Sequence, residues 1–187
     1  MTQLESYAQH YQDAQSLLHT LADPLDDDAF NWKPDATSWS VGECVVHLNT
    51  ISKDYLDALE SAVAAGGPRA EGPFRYGWLT RMFTKAVRPG SRSMSTMKAM
   101  RPPETDGTRS AIDKDRALAR YDDDTRRYVE LASRASGLDL RRIKVASPFL
   151  SIARFNLGGL IEALGLHALR HVQQAERVTR MQAFPQS

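Results

Sequence analysis

Apolar residues recur along this chain at steps of three and four, the spacing that places side chains on one face of an α-helix. From about Gln3 to Ala22 the stripe is Leu4, Tyr7, Ala8, Tyr11, Ala14, Leu18 and Leu21, which predicts an amphipathic first helix. Asp23 stands before Pro24 as a cap for a short helical turn, and the loop "NWKPDATSW" follows with two tryptophans expected to pack down. Ser40 with Glu43 three residues later has the form of a capping box, in which the serine accepts a first-turn N–H and the glutamate reaches back. A second long helix therefore begins at Ser40 and buries Val41, Cys44, Val45, Leu48, Ile51, Tyr55, Leu59 and Ala62. Gly66 and Gly67 stop it.

The pattern changes over residues 66–109, where Gly, Pro and basic residues gather. We read this segment as a long basic crossover containing one short helix, "YGWLTRMFTKAV", with Trp78, Met82 and Phe83 facing inward. A third long helix is expected from about Ser110 to Ser136, carrying Leu118, Tyr121, Thr125, Tyr128 and Ala132, with Gly137 ending it. Pro148 breaks the chain again, and Asn156 is placed to cap a last helix with the stripe Leu157, Leu160, Ile161, Leu164, Ala168, Ala175 and Val178. Four long helices, the second and third joined by a crossover, predict an all-α four-helix bundle forming one domain over residues 1–187.

Composition narrows the function. A length of 187 residues, 42% of them apolar, is enough for one sizeable core. The formal net charge of +1 gives the whole molecule no attraction for nucleic acid or a membrane surface, so neither is expected as a partner. A lone cysteine, Cys44, excludes an intramolecular disulfide, and neither a signal-peptide pattern nor an apolar run of membrane-spanning length is visible. A cytoplasmic location is expected.

The chemistry centres on three histidines. His167 and His171 lie one turn apart beside Leu164 and Ala168 on the inward stripe of the last helix, and His47 falls on the apolar side of the second. Three buried neutral imidazoles without partners cost about 1–3 kcal/mol each, whereas one divalent cation satisfies all three. The competing reading is three core histidines bonded to carbonyls or carboxylates. His10 and His19 fall roughly 100° off the first helix's stripe by the 3.6-residue period and are not expected as ligands. Cys44, one turn before His47, is either a thiolate or an inert small hydrophobe, and Gln174 is placed to line the same cavity as His171. In the crossover, Arg75, Arg81, Lys85 and Arg88 are either a solvated basic face or a site for carboxylates at the mouth.

Two stretches carry a family resemblance. "NWKPDATSWSVGECVVHLN" resembles the loop-helix signature of the DinB-like (DinB/YfiT) family, in which Trp-Ser-x-x-Glu precedes a metal histidine. "SPFLSIARFNLGGLIEALGLHALRHVQQAERV" resembles that family's last helix, with its His-x3-His-x2-Gln ending. The resemblance implies a four-helix bundle running up-down-down-up, with a divalent ion, zinc or nickel, on His47, His167 and His171. Relatives it points to include thiol-dependent transferases or isomerases that use a low-molecular-weight thiol and metal-dependent hydrolases, all acting on small-molecule substrates; because no general base accompanies the three histidines, a thiol-dependent S-transferase-type activity is the expectation. A metal-dependent hydrolase and a non-enzymatic metal- or ligand-binding stress protein are the alternatives. Broad helix faces of this kind fit a homodimer.

Overall fold

A computed structural model of the chain describes residues 1–91, 96–102, 107–150 and 152–185. It is mostly helical: α1 (Gln3–Ala22), α2 (Asp27–Asn31), α3 (Val41–Ala64), α4 (Trp78–Val87), α5 (Lys114–Arg134) and α6 (Leu157–Thr179). The four long helices pack pairwise, α1 on α6 and α5, and α3 on α5 and α6. Most of each long stripe read from the sequence is buried there, from Tyr7, Tyr11, Ala14 and Leu18 on α1 to Leu157, Leu160, Ile161 and Leu164 on α6, while Leu4, Ala8 and Leu21 on α1 and Ala62 on α3 are half-buried.

Local chemistry explains the boundaries. Thr2 and Glu5 close a capping box on α1, and Ser40 and Glu43 close the expected one on α3, whose glutamate Oε2 accepts from the Ser40 N–H at 2.9 Å. Beyond α3 and α5 the chain turns through Gly66 and Gly137, at φ +66° and +75°, a region that glycine enters without a Cβ penalty. Three starts differ from expectation. The cap of α2 is Asp26, bonded to the Ala29 N–H at 2.8 Å, and not Asp23. Helix α5 begins at Lys114 behind Asp113, because Ser110 is buried in extended chain whose hydroxyl donates to Asn31 Oδ1 at 2.7 Å. Asn156 occupies the α6 cap position, but its Oδ1 accepts from the Gly77 N–H and the Thr80 hydroxyl, at 3.0 and 2.8 Å, tying α4 to α6.

Two features depart further. A small antiparallel hairpin, β1 (Lys144–Ala146) and β2 (Arg154–Asn156), pairs Val145 with Phe155 where only a break was expected. On α4, Trp78 and Met82 face outward, 74% and 48% exposed, while Thr80 is buried and Phe83 stacks on Phe155 at 4.6 Å between centroids. The crossover is thus a helix seated on α6 and β2. Within it, residues 92–95 and 103–106 lie outside the described ones.

The core divides in two. One cluster joins Tyr7 and Tyr11 to Ile51–Val63, Tyr128–Ala135, the hairpin and Leu157–Leu164. The other joins Ala14–Ala22 to Val41–Leu48, Leu118, Tyr121 and Ala168–Val178. On α3 and α6 the join falls between Leu48 and Ile51 and between Leu164 and Ala168, beside His47 and His167.

Candidate metal centre

His47 is placed by the capping box: Ser40 and Glu43 fix where α3 starts, and His47 follows Glu43 by one turn. His167 and His171 sit one turn apart on α6. The helices bring all three rings together, with centroids 5.3 Å apart for His47 and His167 and 4.5 Å for each of the other two pairs. One ring nitrogen from each lies within 4.8 Å of the others, and no carboxylate or thiol joins this group among the described residues. His47 and His171 are buried and His167 half-buried.

The surroundings set the protonation of each ring. Burial lowers the His47 pKa to about 4, against a smaller opposing pull from the Met100 carbonyl. Burial, then the neighbouring His47 and Arg170, lowers His167 to about 3. His171 is pushed well below the ordinary histidine value by burial first and by His167 next. All three rings are therefore neutral near pH 7. His47 Nδ1 lies 2.7 Å from the Met100 carbonyl, which can only accept, so Nδ1 carries the hydrogen and Nε2 keeps its lone pair. Trp39 packs on the cluster, 4.9 Å from the His47 ring and 5.7 Å from the His171 ring by centroids.

This arrangement fits a divalent cation. The Nε2 atoms of His167 and His171 face each other at 3.1 Å, and Nδ1 of His171 is buried without a hydrogen-bond partner of good geometry, although Gln174 approaches that ring. Two neutral nitrogens aimed at one another are better satisfied by a shared cation than by the single proton one of them can offer. Three imidazoles are also a donor set suited to a first-row divalent metal such as zinc, copper, iron or nickel.

The centre opens on a cavity of about 980 Å³, within the range of small-molecule sites. Gln174 lines it, as expected from its spacing, and Cys44 does not. Burial pushes the Cys44 thiol far up, aided by the Glu43 charge, so it is an inert core side chain rather than a ligand or nucleophile. His19 bonds to Asp23 and Asp122 instead of joining the centre. Arg75, Arg81, Lys85 and Arg88 do not line the cavity; its basic side chains are Lys33, Arg101, Arg170 and Arg177. Of these, only Arg101 belongs to the basic crossover read from the sequence. Arg177 on α6 follows Arg170 and Gln174 at helical steps of seven and three, a signal that was present in the pattern.

A family profile for the DinB superfamily matches residues 10–175, which contain all three histidines. The chain belongs to the DinB superfamily. Its members generally bind metal, and here the histidine triad is assembled. Among curated proteins and among solved structures nothing matches the chain. No helix among the described residues is long and apolar enough to cross a membrane.

Proposed function

We propose that this chain is a metal-dependent enzyme holding a divalent ion, zinc or nickel, on His47, His167 and His171, and that it transfers a thiol to a small-molecule substrate. One observation carries the reading: three neutral imidazoles converge at the wall of a cavity large enough for a substrate. A purely structural metal site is closed by four protein ligands, whereas three ligands leave a position open. When bound, the ion would supply a Lewis acid that lowers the pKa of a thiol or water beside it.

The chain's own residues do the rest. The Met100 carbonyl holds the His47 tautomer, and Trp39 packs against the His47 and His171 rings. Glu43 is the one carboxylate lining the cavity among the described residues, and it is engaged twice, by the Ser40 N–H and by Lys33 Nζ at 3.1 Å. A carboxylate so occupied is a poor general base for activating water. That disfavours hydrolysis assisted by a carboxylate base, and thiol transfer, in which a thiol would release its proton to solvent beside the ion, is the reading we adopt.

The pairwise packing of α1, α3, α5 and α6 supports the up-down-down-up four-helix bundle. The outward-facing Trp78 and Met82, one turn apart on α4, support a homodimer.

His171→Ala tests the reading. Elemental analysis of the variant should show bound metal falling from stoichiometric to near zero, with thiol-transfer activity lost alongside. Melting of the metal-stripped variant should stay close to that of the stripped parent, since four apolar helix faces form the core without an ion. A variant that keeps stoichiometric metal sinks the proposal.

A further inference from the structure

The walls of the cavity are graded from charged to apolar. On α3 the side chains Glu43, His47, Ile51 and Tyr55 line it at successive four-residue steps, each about 6 Å along the helix axis. On α6 the order runs the opposite way, from Leu164 through His167 and His171 to Gln174 and Arg177. Ile51 accordingly shares one core cluster with Leu164, and Val41–Leu48 share the other with Ala168–Val178. Lys33 and Arg177 lie on one side of the three histidines, and Ile51, Tyr55, Phe83 and Phe149 on the other; Arg170, whose guanidinium is engaged by the Ala86 carbonyl, and Arg101 also line the cavity.

The charges at the basic end do not cancel. Glu43 is matched by Lys33, whose Nζ is 3.1 Å from Oε1, and no second carboxylate lines the cavity among the described residues. Arg177, exposed where it lines the cavity, has no ion-pair partner or hydrogen-bond acceptor among the described residues, so its guanidinium is available to an anion at the mouth. A guanidinium fork is built to bind a carboxylate or phosphate with two parallel hydrogen bonds. At the other end the Tyr55 and Phe149 rings, 5.5 Å apart, offer an apolar surface that a wholly polar ligand cannot use.

We infer that the substrate is an amphipathic organic anion bound lengthwise: an oxyanion head on Arg177, an apolar arm against Ile51, Tyr55 and Phe149, and its reacting bond beside the three histidines. The inference rests on the metal-centre reading only for that last placement. The head and arm positions come from the cavity walls alone. A carboxylate and a phosphate meet the same guanidinium chemistry, and comparing the two identifies the head.

Decanoate, decyl phosphate, decanol and butyrate serve as probes in calorimetric titrations of the protein as purified and after metal removal by chelation. At least one of the long anions should bind about tenfold more tightly than decanol, and decanoate about tenfold more tightly than butyrate. Arg177→Met, a change at an exposed position, should erase the preference over decanol and leave decanol binding unchanged. The preference should survive both chelation and His171→Ala, which separates this inference from the metal reading. Equal binding of the long anions and decanol, or of decanoate and butyrate, overturns it. So does a preference that disappears with the metal, since the head would then sit on the ion.

Discussion

His19 shows what a histidine does on this scaffold away from the cavity. Its two ring nitrogens reach Asp23 at 2.9 Å and Asp122 on α5 at 2.8 Å, with its side chain about one-third exposed. The Asp122 hydrogen bond, aided by Asp23, raises its pKa above 6.5 against a smaller opposing effect of burial. A group whose folded pKa is raised stabilises the fold while protonated: the contribution is full below the unfolded pKa and is lost as pH rises through the folded one. The melting temperature of the parent should therefore exceed that of His19→Gln by a constant margin below about pH 6, and the margin should close above neutrality. A margin independent of pH between 5 and 9 would show that the two bonds do not depend on the charge. The same residue type at positions 47, 167 and 171 is driven the other way, toward neutrality, by burial without a carboxylate. One chain thus pushes imidazoles in opposite directions, His19 toward the charged form and the other three toward the neutral one, and the environment of each makes the choice.

At the scale of elements, the seat of α4 on α6 is the contact most exposed to a single change. A Cβ on Gly159 would overlap Thr80 Cγ2 and stand 2.8 Å from Tyr76 Cδ2, and Thr80 is buried and held by hydrogen bonds with Asn156, so it has nowhere to swing. Gly159→Ala gains about 1 kcal/mol of helix propensity, but overpacking costs about 1–3 kcal/mol and forces the helices apart. With Thr80 unable to swing aside the cost falls in the upper part of that range, about 2–3 kcal/mol, so we expect a net loss of about 1–2 kcal/mol, read as a melting temperature lowered by roughly 2–8 °C, with weaker ligand binding because Phe83 of α4 lines the cavity. An unchanged melting temperature would mean that the α4 contact yields freely. This contact was illegible in the sequence for a definite reason. An amphipathic ten-residue helix has two faces of mixed character, and the one that turned inward did so because Thr80 and Asn156 satisfy each other, a pairing across 76 positions. The hairpin was missed likewise, since three-residue strands are too short to show alternation. The long stripes, the Ser40 capping box and the glycine stops were legible because they depend on neighbours within one or two turns. His47, His167 and His171 were legible for the same reason, their helical phase. Arg177 was not singled out, because a basic residue in a helix's last turn is ordinarily read as complementing the dipole.

For the whole molecule, the division of the core into two clusters raises the question whether its halves can part. Each of α1, α3, α5 and α6 contributes to both: Tyr11 and Ala14 fall on either side of the join on α1, Leu48 and Ile51 on α3, Tyr121 and Tyr128 on α5, Leu164 and Ala168 on α6. Losing one cluster would cut all four helices at mid-length, leaving stubs of about three turns that are marginal in water. We infer that residues 1–187 unfold as one cooperative unit, as a single domain does. Trp32 and Trp39 pack against one cluster, while Trp78 is exposed, so tryptophan fluorescence follows mainly that half and far-ultraviolet circular dichroism follows the helices of both. The two signals should trace one transition on heating the metal-stripped protein. The calorimetric enthalpy should match the van't Hoff value, at roughly 130 kcal/mol for a chain of 187 residues. Fluorescence that changes several degrees before the helical signal would show the cluster around Val41–Leu48 melting by itself. The three histidines would then lie at the edge of a separately unfolding half, and metal addition should bring the two transitions together.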